Sequence, residues 1–266
     1  MDCNNQDDYV PNYDVHRFGR KNHHTALIIP IINEGERIIL QLERINLISP
    51  EVDIIIADGG SDDGTLQKIV TSRIQITSFL EKRDKGRLSA QLLMGFDFCL
   101  REGYEHVITM DGNNKDGEKG IEVIQKALTS GYDFVQGSRF IDGGKAVRTP
   151  MTRLLAIRLI HAPITSMASR FWFTDTTNGF RGHSAQLLKS RKLSIFREVF
   201  ETYELIAYLP IQSSRLGFKV VEVPVTRTYP STGVVPTKIK GIKSQVELMK
   251  ILLMASFGKY SPKSSN

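Results

Sequence analysis

The sequence predicts an α/β fold, a single domain built on a mostly parallel sheet flanked by helices. Three observations carry that prediction. Short apolar runs alternate with segments of helical periodicity through the first half of the chain. The runs are nearly continuous in apolar character, as strands covered on both faces are. Polar and glycine-bearing segments recur at their carboxyl ends, where such sheets place ligands.

The elements follow in order. Residues 1–22 are polar, acidic and then basic, with no apolar core of a signal peptide, and read as a tail. The domain proper spans 23–232. Its first strand is the run at 26–32, followed by helical spacing over 34–47. A second strand at 52–57 leads into a glycine-rich turn and a helix around 66–70. Strands are predicted at 74–79, 106–110 and 132–136, and helices at 88–101 and 121–128.

The second half completes the first, with no repeat and no evident domain boundary. Residues 152–173 are apolar, with Arg153, Arg158, His161 and Arg170 interspersed. A turn at 175–181, a helix at 200–209 and an alternating strand at 219–225 follow. Proline, glycine and lysine make 229–243 a basic loop, and 245–257 a closing helix. Residues 233–266 thus form a basic loop and C-terminal helix suited to a membrane surface.

Composition narrows the partners. A chain of 266 residues with 41% hydrophobic and 24% charged residues is an ordinary folded protein. Its net charge of +6 suits anionic partners, although a merely soluble basic surface has the same charge. Cys3 and Cys99 form no Cys-x-x-Cys pair, so neither a disulfide framework nor a zinc ribbon is indicated. No run reaches the ~18 uncharged apolar residues that span a bilayer. The expected location is therefore cytoplasmic, with peripheral contact to the cytoplasmic face of a membrane.

The strand ends carry the candidate chemistry. Asp111 ends a buried strand, and Asn113 and Asp116 add oxygens within the same loop. Hard cations such as Mg²⁺ or Mn²⁺ want several such ligands, and diphosphate oxygens fill the rest. An Asx-rich turn satisfying its own backbone has the same composition. Asp58 stands at the head of Gly-Gly-Ser-Asp-Asp-Gly-Thr65, placed to accept hydrogen bonds from a base or ribose, while Ser61 and Asp63 look like capping residues. Pro30, Asn33 and Glu34 end the first strand; Glu34 either binds the nucleoside or occupies a first helical turn.

Cations are placed for phosphate. Lys85, Gly86 and Arg87 precede a helix and form a plausible diphosphate cradle, or a solvated charge cluster. Arg139 and Arg181 each follow a glycine-bearing turn, suited to bidentate phosphate contacts or to structural carboxylates. Glu201 and Glu204 lie three apart at a helix start, as an acceptor-orienting pair or an exposed face.

These segments resemble, in order and spacing, the inverting family-two glycosyltransferases of the GT-A fold, within them the dolichol-phosphate mannose synthase-like group. The resemblance runs from about residue 26 to 225. Pro30-Ile-Ile-Asn-Glu34 resembles the opening Pro-x-x-Asn-Glu element. Ala57-Asp-Gly-Gly-Ser-Asp-Asp-Gly-Thr65 is similar to the nucleotide-binding turn, with Asp58 on its base-contacting aspartate. Asp111-Gly-Asn113 sits at the Asp-x-Asp metal motif, Asn113 replacing the second aspartate. Gly137-Ser-Arg-Phe140, Asn178-Gly-Phe-Arg181 and Glu222-Val-Pro-Val225 resemble later blocks. The group's usual Arg-x-x-Gly-x-Ser-Lys stretch is replaced by Arg227-Thr-Tyr-Pro-Ser-Thr-Gly-Val-Val-Pro-Thr-Lys-Ile239.

The resemblance implies in-line displacement at the anomeric carbon of a GDP- or UDP-linked hexose, with inversion. Metal, Lys85 and Arg87 would stabilise the departing nucleoside diphosphate. With a polyprenyl phosphate acceptor, already anionic, Ser138, Arg139, Arg181 and Lys238 would hold the phosphate. With a sugar hydroxyl in a glycan, Asp175, Glu201 or Glu204 would take its proton. The apolar segments 152–173 and 245–257, near Lys238, Lys240 and Lys243, suit a membrane surface or simply cover the sheet. A dinucleotide oxidoreductase would want Gly-x-Gly-x-x-Gly after the first strand, which is absent. Nucleic acid is not an expected partner, because the strand ends are acidic.

Overall fold

The computed structural model describes residues 9–72, 74–231 and 241–262. Its elements in chain order are β1 (Tyr13–Arg17), β2 (Thr25–Ile31), α1 (Glu36–Ile48), β3 (Asp53–Asp58), α2 (Thr65–Thr71), β4 (Ser78–Lys82) and α3 (Leu88–Arg101). There follow β5 (His106–Thr109), α4 (Gly120–Thr129), β6 (Phe134–Ser138), β7 (Lys145–Val147), α5 (Met151–Ala156), a π-helical turn (Ile157–His161) and α6 (Ala162–Ser169). The chain continues through β8 (Arg181–Ser184), α7 (Ala185–Leu188), α8 (Glu204–Arg215), β9 (Val220–Pro224), β10 (Thr226–Thr228) and α9 (Gly241–Ser256).

The main sheet has the order β1-β4-β3-β2-β5-β8-β6-β9. All its strands run parallel except β1, at the edge, and β8, wedged between β5 and β6. β7 and β10 form a separate parallel pair. The fold is the predicted mostly parallel sheet covered by helices on both faces. Alternation along β2 shows why: Ala26 and Ile28 join one core, against α3 and α8. Leu27, Ile29 and Ile31 join the other, against α1 and α4. Both faces are sealed, so the chemistry is left to the strand ends.

Three predictions shift. The segment read as a tail contributes β1, whose residues pair with β4 from Tyr13 opposite Lys82 to Arg17 opposite Ser78. Its apolar signal is weak because it pairs with β4 alone and none of its five residues is buried. The third strand runs later than 74–79: Ile76 is buried, but pairing with β1 and β3 fixes the ladder on Ser78–Lys82. The helix read at 200–209 begins at Glu204, because residues before it are held by the loop of Gly86. Lys238 and Lys240 lie outside the described residues.

Candidate active site

The ends of β2 and β3 are tied together by one buried amide. Gln91 Nε2, on α3, donates to Ile31 O at 2.7 Å and to Ala57 O at 2.9 Å. Beyond β3, Asp58 is buried and folds its own turn: Oδ2 accepts from Gly60 N at 3.0 Å and Ser61 N at 2.8 Å, and Oδ1 accepts from Ser61 Oγ. Asp63 Oδ1 accepts from Thr65 N at 3.1 Å, but the N-cap position of α2 is taken by Gly64, so Asp63 stands one residue before the cap expected of it. Asn33, at φ 50°, donates its amide to Asp62 Oδ1 at 2.8 Å and accepts from Asp62 N at 3.0 Å. Asn33 thus joins two loops. Glu34 is buried and accepts from Arg37 Nε at 2.8 Å beside the first turn of α1; Pro30 lies within β2 opposite Ala57.

The turn at Lys85 and the segment at Glu201, 116 residues apart by the Ser89–Leu205 bond, meet in space. Arg87 N donates to Glu201 O at 2.8 Å and Ser89 N to Thr202 O at 2.8 Å. Gly86 has φ 110°, and a Cβ there would lie 2.7 Å from Ala90 Cβ, so glycine is required. Lys85, Arg87 and Glu201 stay exposed on this ledge. Glu204 does not: at the first position of α8 it accepts from Thr202 N at 2.7 Å and Thr202 Oγ1 at 2.5 Å.

The loop after β5 holds the acidic centre. Gln41 anchors it from α1, donating to Asp111 O at 2.9 Å and accepting from Asn114 N at 2.7 Å. Arg227, on β10, spans two carboxylates: NH2 donates to Asp111 Oδ2 at 2.8 Å and NH1 to Asp116 Oδ2 at 2.6 Å. Burial pushes the Asp111 carboxyl up, but the Arg227 guanidinium outweighs it and holds the group below the usual carboxylate range. Asp116 is fully buried and moves the other way: burial and the charge of Asp111 raise it against the pull of Arg227. Lys115 is buried beside them, and burial with Arg227 pushes it down to about 8. Gly179 packs so tightly here that a Cβ would come within 2.4 Å of Asp111 Oδ1.

The two arginines read as phosphate contacts are held inside the protein. Arg139 clamps Asp175, with Nε to Oδ2 at 2.6 Å and NH2 to Oδ1 at 2.8 Å, both side chains almost wholly buried. Arg181 donates to the carbonyls of Asn178 at 3.0 Å, Ile206 at 2.8 Å and Thr176 at 2.8 Å, and burial lowers it to about 10. Ser138 Oγ bonds Thr174 Oγ1 at 2.6 Å. Glu222 accepts from Thr174 N at 3.0 Å and Asp175 N at 3.1 Å, fixing the turn that carries Asp175.

The structure therefore brings together Asp111, Asn113 and Asp116, and separately Lys85, Arg87, Glu201 and Glu204. It holds Arg139 and Arg181 in the framework. Gln41, Gln91 and the bridging position of Arg227 are the residues that sequence reasoning missed. A lone glutamine on a helix carries no signal of its own; only the buried strand ends opposite it give one.

The acidic loop fits a divalent cation in its chemistry. Its donors are hard oxygens, and two of them, Asn113 Oδ1 and Asp116 Oδ1, are buried without a hydrogen-bond partner. Asp111 is more open than Asp116, its side chain 26% exposed against 0%.

The mostly parallel sheet, with a basic ledge after β4 and an acidic loop after β5, has the architecture of the GT-A glycosyltransferases. The glycosyl transferase family 2 model matches residues 26–193, and the chain belongs to that family. The polyprenol monophosphomannose synthase of Mycolicibacterium smegmatis is 28% identical over 239 residues, covering 87% of each chain. The undecaprenyl-phosphate mannosyltransferase of Micrococcus luteus is 29% identical over 201 residues, covering 75% of this chain and 81% of its own. Among solved structures, the glucosyl-3-phosphoglycerate synthase of Mycobacterium tuberculosis in complex with UDP superimposes with a TM-score of 0.63 at 16% identity, covering 94% of this chain and 88% of that one. The same enzyme with Mn²⁺, UDP-glucose and phosphoglyceric acid gives 0.62. At that identity the likeness fixes the fold alone.

Proposed function

We propose that this enzyme transfers a hexosyl group from a GDP- or UDP-linked sugar to a polyprenyl phosphate, with inversion. The observation that carries the reading is the state of the carboxylates a hydroxyl acceptor would need. Asp175 is ion-paired at 2.6 Å with Arg139, and Glu204 accepts from Thr202 N at 2.7 Å, so of the three candidates only Glu201 is exposed. A phosphate acceptor is already anionic and needs none of them. The names of the two mannosyl-transferring relatives support the same acceptor.

In this reading one acceptor phosphate oxygen forms a bond to the anomeric carbon. The bond from that carbon to the nucleoside diphosphate breaks, and its electron pair stays on the leaving phosphate. No proton has to move. Lys85 and Arg87, exposed on the ledge, are the cations placed to stabilise the departing charge. Asp111 and Asn113 would hold Mg²⁺ or Mn²⁺, with Asp116 behind them; the bound metal supplies Lewis-acid neutralisation of the diphosphate. Asp58, Asn33 and Glu34 shape the nucleoside end, through the turn that they fold.

The test is transfer of labelled GDP-mannose and, separately, UDP-glucose to added polyprenyl phosphate with Mn²⁺. Label moves into the organic phase if the reading holds. Label found only in water-soluble glycan points instead to a hydroxyl acceptor, with exposed Glu201 as the base. Asp111→Ala abolishes transfer and weakens Mn²⁺ binding measured by paramagnetic resonance; undiminished binding overturns the metal assignment.

A further inference from the structure

We propose that the enzyme docks on an anionic lipid bilayer through one face made of α5, the π-helical turn, α6 and α9. Met151, Leu155 and Leu159 recur at helical spacing on the outside of the first of these segments, and Leu159 is 69% exposed. The π turn adds a residue, which brings Ile160 to the surface as well. Met167 is 76% exposed, Trp172 78% and Phe257 80%. Large apolar side chains this open, grouped on one face, mark an interaction surface.

The face is continuous. Arg215, on α8, donates to Ala168 O at the end of α6 and, at 3.0 Å, to Ser256 O at the end of α9. One guanidinium therefore sets Met167 and Phe257, the next residues along, at neighbouring helix ends.

Charge identifies the occupant. From residue 143 to 173 the sequence has no aspartate or glutamate, while Arg158 and Arg170 stand exposed within it. Between 241 and 262 the single acid, Glu247, is outnumbered by Lys243, Lys250 and Lys259. Aliphatic and aromatic side chains rimmed by cations match the interface of a bilayer bearing anionic headgroups. Tryptophan at that depth is typical.

The face also borders the site. Arg153 of α5 donates to Tyr229 Oη at 3.0 Å, and Arg148 Nε to Tyr229 O at 2.8 Å. Tyr229 follows closely on Arg227, the partner of Asp111. The helix that turns apolar side chains outward thus holds, on its inner side, the strand that closes the acidic centre. What docking serves rests on the polyprenyl phosphate reading; the docking itself does not.

Trp172 is the only tryptophan of the chain, so its emission reports the contact directly. Phosphatidylcholine vesicles containing phosphatidylglycerol are expected to shift the emission to the blue, and high salt to weaken binding. The double variant Met167→Ser, Phe257→Ser is expected to lower vesicle affinity about tenfold or more, with an unchanged Tm. Emission that never responds to vesicles overturns the proposal. So does a concentration-dependent dimer that shields Trp172, which makes the occupant a second copy. Transfer to a short-chain, water-soluble polyprenyl phosphate separates the two readings. Transfer without vesicle binding removes the docking face alone; vesicle binding without transfer removes the acceptor alone.

Discussion

Arg227 donates to Asp111 at 2.8 Å across 116 residues of chain, and the same guanidinium reaches Asp116 at 2.6 Å. One cation therefore serves two carboxylates, the partly open Asp111 and the buried Asp116, from a distant part of the chain. The arrangement makes β10 part of the acidic centre and not merely a neighbour of it.

Replacing Arg227 by methionine leaves two acids without their cation. Loss of one partner from a buried pair costs about 3–5 kcal/mol. Urea unfolding of Arg227→Met at neutral pH is expected to show a loss of that size. Adding Asp116→Asn removes one of the stranded charges and is expected to restore part of it. Additive losses in the double variant would mean that the two side chains are not coupled.

Arg139 is expected to behave as a framework residue. Its pairing with Asp175 is buried on both sides. Arg139→Gln is expected to lower stability by about 3–5 kcal/mol. A variant of native Tm with a raised KM for the acceptor would instead assign Arg139 to the substrate.

His183 gives the fold an acid limb. It is buried between Phe96 and Phe134, with ring centroids 5.1 and 5.4 Å away, and its Nδ1 has no partner. Burial, then the charge of Arg181, pushes it from 6.5 down to about 3. The unfolded chain takes up this proton near pH 6.5 and the folded chain does not. Stability is therefore full above that pH and falls as pH drops toward about 3, by at most about 1.4 kcal/mol per unit. Unfolding of wild type and His183→Leu across this range checks it: the stability of wild type minus that of the variant falls steadily with acid.

Gly179→Ala sets a Cβ against Asp111 Oδ1, 2.4 Å away in the present geometry. The carboxylate must move, while the backbone around it is ordinary. Transfer is expected to fall at least about tenfold, with Tm within a few degrees of wild type. A calorimetric scan beside the activity assay separates the two effects.

Much of the fold was legible because β2, β3 and β5 are buried on both faces and so are written as unbroken apolar runs. β8 was not legible. Its residues Arg181, Gly182, His183 and Ser184 include no aliphatic side chain, yet the first three are buried. Tertiary neighbours, not intrinsic preference, make that strand. β1 escaped because none of its five residues is buried, so it carries no apolar run. Within the site, Asp111 and the Lys85 ledge stood at readable strand ends. The employment of Arg139 and Arg181 did not, because a glycine-flanked arginine looks the same whether it meets a ligand or a carbonyl. Asp175 lies 36 residues from Arg139, and only the closed sheet brings them together.

The span between Asp116 and Arg227 has a consequence for biosynthesis. With the two 111 positions apart, the ribosome delivers the acid on the order of ten seconds before the base. Throughout that interval the nascent sheet carries Asp111 and Asp116 with no arginine to share. The half-made domain must keep this corner hydrated and open, and docking of the late strand is what dries it.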